Sequence, residues 1–418
     1  HAVMFDKTTG ATYSIFEGQD GVSVQDHFIM VGDQAKQVKI LAEPDYKSNQ
    51  LLRKEFNADQ PIQSARLYIT SRGIYEPYVN GERIGEDWFN PGFTQYNKTI
   101  TYSTYDITDQ LQQGTNAIGV RLASGWWHDE MTFDLSKYNY WGNKPSLLAK
   151  VVVTYADGTK DTIVTDESWS YNNTDSPIIY AGFFNGEVYD ARKEATIEGW
   201  NQPGYTGENW YNASVIVPLP ENANPHIIAR VDEPVRHVET LSAKFDKEPD
   251  PNIYIYDMGT NMVGVPEITF PEMPAGTEIT IRYSEIYYPE LDPSNPYYYG
   301  EMSGKLLTEN LRAALCTDTY IAKGTKGGET YRPSFTFHGY RYIEISGLEE
   351  PLPEENIKGI VLSSIEGTTS TYESSNELTN QLHKNIQRSL LGNHVSIPTD
   401  CPQRDERMGW TGDAQVFS

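Results

Sequence analysis

Residues 398–413 read PTDCPQRDERMGWTGD and gather Asp400, Asp405, Glu406 and Asp413 with Arg404, Arg407 and Trp410 in a stretch punctuated by Pro and Gly. Glu406, Trp410 and Asp413 stand at i, i+4 and i+7, so a helix here would set two carboxyls and an indole on one face. Asp400 lies between Pro398 and Pro402 and can approach the same pocket from a constrained connection. Glycosyl transfer to water needs this equipment: a carboxylic acid to protonate the leaving oxygen, a carboxylate to activate water or attack carbon, and further acceptors for hydroxyls. An indole adds a flat apolar face for sugar C–H bonds. Two other readings use the same residues. Arg404 and Arg407 can pair with Asp400, Asp405 and Glu406 as a solvated ion network around a capped helix, worth little per pair. Asp400, Glu406 and Asp413 are also hard oxygen ligands, although the adjacent guanidinium groups would compete with a cation.

The elements that must position these residues are mainly β. Segments 65–70, 117–122, 148–155 and 162–165 are short, β-branched and often alternating. Asn80-Gly81 and Asp157-Gly158 supply the positive φ angles that tight hairpins require, and strands at such spacing predict an antiparallel sandwich. The Pro- and Asn-rich run 217–225 reads as a linker, after which β pattern resumes at 252–256, 278–283 and 340–345. Near Ser375 and Asn376 the period changes: either residue can cap a helix in which Leu378, Leu382, Ile386 and Leu390 recur every four positions. That helix and the acidic motif cannot bury a core by themselves, so the chain is expected to stop inside a larger helical domain. The expected division is therefore 1–225, 226–365 and 366–418.

Composition narrows the partners. The 418 residues carry a formal net charge of -25, which disfavours nucleic acid and anionic membrane surfaces and suits a neutral ligand. The chain has 29 Tyr and 8 Trp, which serve sugar-binding surfaces and sheet packing alike. No apolar run approaches the roughly 20 residues needed to cross a bilayer. The two cysteines, Cys316 and Cys401, are far apart in sequence and read as free thiols.

The segment NHVSIPTDCPQRDERMGWTGD at 393–413 resembles the signature of bacterial α-L-rhamnosidases of glycoside hydrolase family 78. The upstream chain is similar to that family at GIYEPYVNG (73–81), NPGFTQY (90–96), GWW (125–127), YDMGTN (256–261) and FTFHGYRY (335–342), so the likeness runs from about Leu51 to the end. The resemblance implies an inverting exo-acting hydrolase releasing terminal α-L-rhamnose. It further implies jelly-roll-like β-sandwich domains followed by an (α/α)6 barrel, of which only the start is present. Carried over by position, Glu406 matches the general acid, and Asp400, Arg404, Trp410 and Asp413 match residues that hold the rhamnose. The general base would be a later glutamate outside this sequence, so these residues alone should turn over poorly. No cofactor is required.

Some members carry a calcium-assisted rhamnose-binding sandwich, and Glu86, Asp87 and Asn90 offer suitable oxygens. Asp87, Asn90, Trp126 and Trp127 then form a candidate carbohydrate-binding face, against the alternative that these aromatics plug the end of a sandwich. His338 and Arg341 face either the barrel or a satisfied domain interface. Two further readings stay open: a non-catalytic carbohydrate-binding protein that keeps the motif, and a barrel glycosidase acting on another sugar.

Overall fold

The computed structural model describes residues 49–133, 137–142, 144–216, 225–367 and 370–417, preceded by the backbone of strands Ala2–Phe5, Thr12–Ile15, Val22–Gln25, Phe28–Val31 and Gln34–Lys36. The first sandwich forms where the alternation is strongest. In Ser146–Tyr155, Ala149, Val151, Val153 and Tyr155 point inward, and in Ile62–Arg72 Ala65, Leu67 and Ile69 do the same. Each fully buried aliphatic side chain contributes about 1.5–3 kcal/mol, so this face decides the register. The sheet runs Lys160–Val164, Ser146–Tyr155, Ile62–Arg72, Thr99–Asp106, His226–Ala229. A second sheet faces it in the order Tyr211–Asn212, Ser170–Asn172, Gln50–Ala58, Gly114–Ala123, Ile74–Val79, Glu82–Arg83. Asn80 at φ 50 and Gly81 at φ 93 close the expected Asn-Gly hairpin, and Gly158 at φ 87 closes the Asp-Gly one.

The second unit is a ten-stranded sheet built around the long strand Ile253–Phe270. That strand pairs with His338–Ser346 and Ile357–Ser363 and shifts register between Asp257 and Met262. Its core is rich in tyrosine, with Tyr254, Tyr256, Tyr283, Tyr320, Tyr331 and Tyr340 all buried. Gly264, at φ 153, lets this strand lie against its neighbour: a Cβ there would meet the Ile360 carbonyl oxygen at 1.9 Å.

The two units exchange strands. Hairpin Ile178–Gly182/Gly186–Asp190 enters the second sheet by parallel pairing of Gly186–Asp190 with Thr317–Ile321. His226–Ala229 returns to the first sheet, parallel to Thr99–Asp106. The sheets are therefore mixed rather than purely antiparallel, and they interleave across the expected linker, of which residues 217–224 lie outside the described residues. The exchange buries Phe183 and Phe184 among Trp126, Phe89 and Phe337 in one continuous aromatic core.

Helix Glu377–Gly392 follows, and its N-cap is Asn376, whose side chain accepts from Leu378 N and Thr379 N. Arg388 ties the helix to Glu239, and Ser363 donates to the Leu391 carbonyl at 2.8 Å. The periodic stripe does not face the sheet: Leu378, Leu382 and Ile386 are 81%, 57% and 47% exposed. Among the described residues no helix is long and apolar enough to cross a membrane, which says nothing of a β-barrel.

Candidate active site

A short strand pair, His394–Val395 with Ile397–Pro398, leads into the acidic motif. Thr399 closes the turn, its N–H donating to the Asn393 carbonyl at 2.7 Å. Residues 399–410 then form a loop rather than a helix, and helix Thr411–Phe417 starts only after it. Helical geometry is interrupted at Arg407, which takes φ 54, in the left-handed region, and Gly409 follows two positions on. The loop is closed on itself by Asp400 N–H donating to the Met408 carbonyl at 3.1 Å.

Glu406 occupies the centre of this loop and is 2% exposed. Its Oε2 accepts from Cys401 N at 3.1 Å and Met408 N at 3.2 Å. Its Oε1 accepts from Trp410 Nε1, so the loop, not a helix face, brings acid and indole together. Trp410 itself is 46% exposed. Asp400, Cys401 and Glu406 offer ligand atoms within 4.8 Å of one another. The Cys401 thiol donates to Asp400 Oδ2 at 3.1 Å and is pushed up to about 12, by burial first and then by that carboxylate, with Arg404 opposing. These ligand atoms are engaged within the loop itself: the Glu406 carboxyl accepts three N–H groups and the Cys401 thiol donates to Asp400.

The other expected substrate-holding residues are placed unevenly. Arg404 is half-buried, and its carbonyl accepts from Glu406 N at 2.9 Å. Asp413 is exposed in the first turn of helix Thr411–Phe417, and its side chain makes no hydrogen bond or ion pair among the described residues. In place of an i, i+4, i+7 helix face, the loop brings Asp400, Glu406 and Trp410 together.

Arg407, which by its type suggests a solvated ion pair, is 3% exposed. It donates to the Phe337 carbonyl at 2.8 Å, to the Phe183 carbonyl and to the Arg404 carbonyl at 3.2 Å. Burial pulls its guanidinium down to about 10, with the Cys316 thiol among the groups acting in the opposite direction. No signal in the local sequence marks this burial, because the groups that enclose Arg407 come from distant segments.

The candidate sugar face in the first sandwich is not what the structure builds. Trp126 and Trp127 are buried at 8% and 4%, packed with Phe89, Phe93, Tyr96 and Phe183, so they plug the end of the sandwich. Asn90 is buried, donating to Tyr105 Oη at 2.9 Å and accepting from Arg230. Asp87 pairs with Arg236 at 3.4 Å. Guanidinium groups thus contact Asp87 and Asn90, two of the three residues offered as calcium ligands. His338 is fully buried, with Nε2 at 3.2 Å from both Asp318 carboxylate oxygens and its ring stacked 3.9 Å from Tyr283, while Arg341 grips Asp257 in a two-pronged pair. Both pairs lie within the second sheet, and His338 Nδ1 is buried without a hydrogen-bond partner.

Three family descriptions match consecutive stretches of the chain: an alpha-L-rhamnosidase N-terminal domain over residues 60–239, a bacterial alpha-L-rhamnosidase concanavalin-like domain over 247–363, and a bacterial alpha-L-rhamnosidase six-hairpin glycosidase domain over 367–418. The chain belongs to the bacterial α-L-rhamnosidase family. It is 39% identical to an alpha-L-rhamnosidase of Streptomyces avermitilis over 88% of this chain and 33% of that one. It is 38% identical to an alpha-L-rhamnosidase of Formosa agariphila over 92% of this chain and 39% of the relative. The crystal structure of the Streptomyces avermitilis alpha-L-rhamnosidase complexed with L-rhamnose superposes with a TM-score of 0.78 at 36% identity, covering 92% of this chain and 35% of that one. The chain thus spans between a third and two fifths of the length of these rhamnosidase relatives.

Proposed function

We propose that this chain is part of an inverting exo-α-L-rhamnosidase in which Glu406 is the general acid. The observation that carries the reading is the Glu406 carboxyl itself, buried inside the stretch that matches the six-hairpin glycosidase domain and oriented through three N–H donors. Oε2 is anchored by two backbone N–H groups, which leaves Oε1 as the oxygen that carries the proton toward a substrate. The leaving glycosidic oxygen accepts that proton as its bond to the anomeric carbon breaks. A water enters from the opposite face, activated by a carboxylate roughly 6.5–9.5 Å from the acid, as inversion requires. No residue of this sequence is assigned as that base. Asp400, Arg404, Trp410 and Asp413 hold the terminal rhamnose.

The test is hydrolysis of a panel of aryl glycosides by the full-length protein, with the first-formed sugar anomer followed by proton NMR. Release of the β-anomer from an aryl α-L-rhamnoside supports the reading. Release of the α-anomer removes the inverting mechanism, cleavage of a different glycoside moves the site to another sugar, and binding without cleavage makes it a carbohydrate-binding module.

A further inference from the structure

Arg407 holds together three parts of the fold that are remote in sequence. Phe183 and Phe184 lie in the turn of the exchanged hairpin, between strands Ile178–Gly182 and Gly186–Asp190. Phe337 immediately precedes strand His338–Ser346 of the second sandwich. The Arg407 guanidinium donates from one nitrogen to both the Phe183 and the Phe337 carbonyls, the latter at 2.8 Å. Its other terminal nitrogen lies 3.7 Å from Cys316 Sγ, and its charge sits 4.7 Å from the Phe337 ring centre and 5.4 Å from that of Phe184. Cys316 in turn donates to the Gln403 carbonyl of the acid loop at 3.2 Å. Strand and loop approach so closely at Gly339 that a Cβ there would lie 2.7 Å from Gln403 Cβ.

The link to the acid is direct. Arg407 Nε donates to the Arg404 carbonyl at 3.2 Å, and Glu406 N donates to that same oxygen at 2.9 Å. One carbonyl is thus shared by the buried cation and the backbone of the acid. Arg407 also adopts φ 54, a conformation that a non-glycine residue holds only where its surroundings over-determine it. A planar fork of five donors suits this site, because it reaches several fixed carbonyls at once where an ammonium makes a single point contact.

We infer that Arg407 is a positioning residue for the general acid: by pinning the 404–407 turn to the exchanged hairpin and to the edge of strand His338–Ser346 it fixes where Glu406 presents its proton. The inference rests on the acid role proposed above. A purely structural Arg407 would lower the amount of folded protein without changing the chemistry of what remains.

The experiment compares full-length wild type, Arg407→Lys, Arg407→Met and Glu406→Gln on phenyl and dinitrophenyl α-L-rhamnosides, with rates normalised to folded protein by active-fold fluorescence. General acid catalysis contributes roughly 10²–10⁴-fold, and it matters most for the basic phenolate leaving group and least for dinitrophenolate. The expected result is that kcat on the phenyl substrate falls at least tenfold more than on the dinitrophenyl substrate in the Arg407 variants, with KM little changed and Lys milder than Met. If Met prevents folding, the Lys variant carries the comparison alone. Equal losses on both substrates in the Arg407 variants, beside a leaving-group-dependent loss in Glu406→Gln, overturn the positioning role and leave the acid assignment standing. A Glu406→Gln variant that loses both activities equally overturns the acid assignment, and the positioning role with it.

Discussion

Replacing Glu187 by Gln should flatten the pH dependence of the second sandwich's stability. Glu187 has no exposed surface. Its Oε2 accepts from Ser334 N at 3.0 Å and Phe335 N at 3.2 Å, and Tyr331 Oη donates to its Oε1 at 3.3 Å. Burial pushes the carboxyl up to about 8; the Ser334 N–H opposes this and the neighbouring Asp318 carboxylate adds to it. A group that holds its proton to about pH 8 in the fold, against 4.5 in its ordinary state, stabilises the fold fully below 4.5. That contribution declines as pH rises and is gone above about 8. At about 1.36 kcal/mol per pH unit the loss across the window is roughly 5 kcal/mol. Glutamine copies the protonated acid: its oxygen accepts the two backbone N–H groups and its amide cannot titrate. Urea midpoints of wild type and Glu187→Gln, measured between pH 5 and 8, should therefore diverge, with the wild type weakening and the variant nearly level. A residual slope of the same sign remains from His338, where burial alone would lower the pKa but Asp318 holds it above the ordinary value. Parallel curves for the two proteins would mean that Glu187 is ionised inside the fold, and would refute the reasoning.

Three further outcomes follow from the geometry. Asp318→Ala strands the Tyr283 hydroxyl, Glu187 N–H and His338 Nε2, each worth about 1–3 kcal/mol when buried without a partner, so urea unfolding should show a loss of at least ~3 kcal/mol. Asn376→Ala removes the acceptor for Leu378 N and Thr379 N and should cost ~1 kcal/mol, read as faster hydrogen exchange in the first turn of helix Glu377–Gly392. Gly264→Ala sets a Cβ against the Ile360 carbonyl, and the yield of folded protein should collapse, whereas Gly158→Ala, with nothing near its Cβ, should cost only the strain of its positive φ.

Local signals were legible in the sequence wherever one element determines them. The Asn-Gly and Asp-Gly hairpins, the alternation in Ser146–Tyr155 and the Asn376 cap each depend on neighbouring residues alone. Pairing between distant segments carries no such mark, so the exchanged hairpin Ile178–Asp190 and its parallel partner Thr317–Ile321 were not visible. The motif at 398–413 announced its chemistry by residue type but not its shape. Helical spacing of Glu406, Trp410 and Asp413 held no force once Arg407 turned left-handed, and the indole reached the acid through a closed loop instead. Trp126 and Trp127 show the same ambiguity from the other side, since aromatics serve a sugar face or a core equally well and burial decided for the core. Arg407 was hidden most deeply: a charged residue beside three acids reads as surface, and only the carbonyls of Phe183 and Phe337 reveal why it is inside.

The most direct test of the account is the hydrolysis rate of phenyl α-L-rhamnoside by full-length Glu406→Gln relative to wild type. Loss of the proton donor predicts a fall of roughly 10²–10⁴-fold with the fold intact. A variant that hydrolyses this substrate at the wild-type rate would contradict the assignment of the proton to position 406.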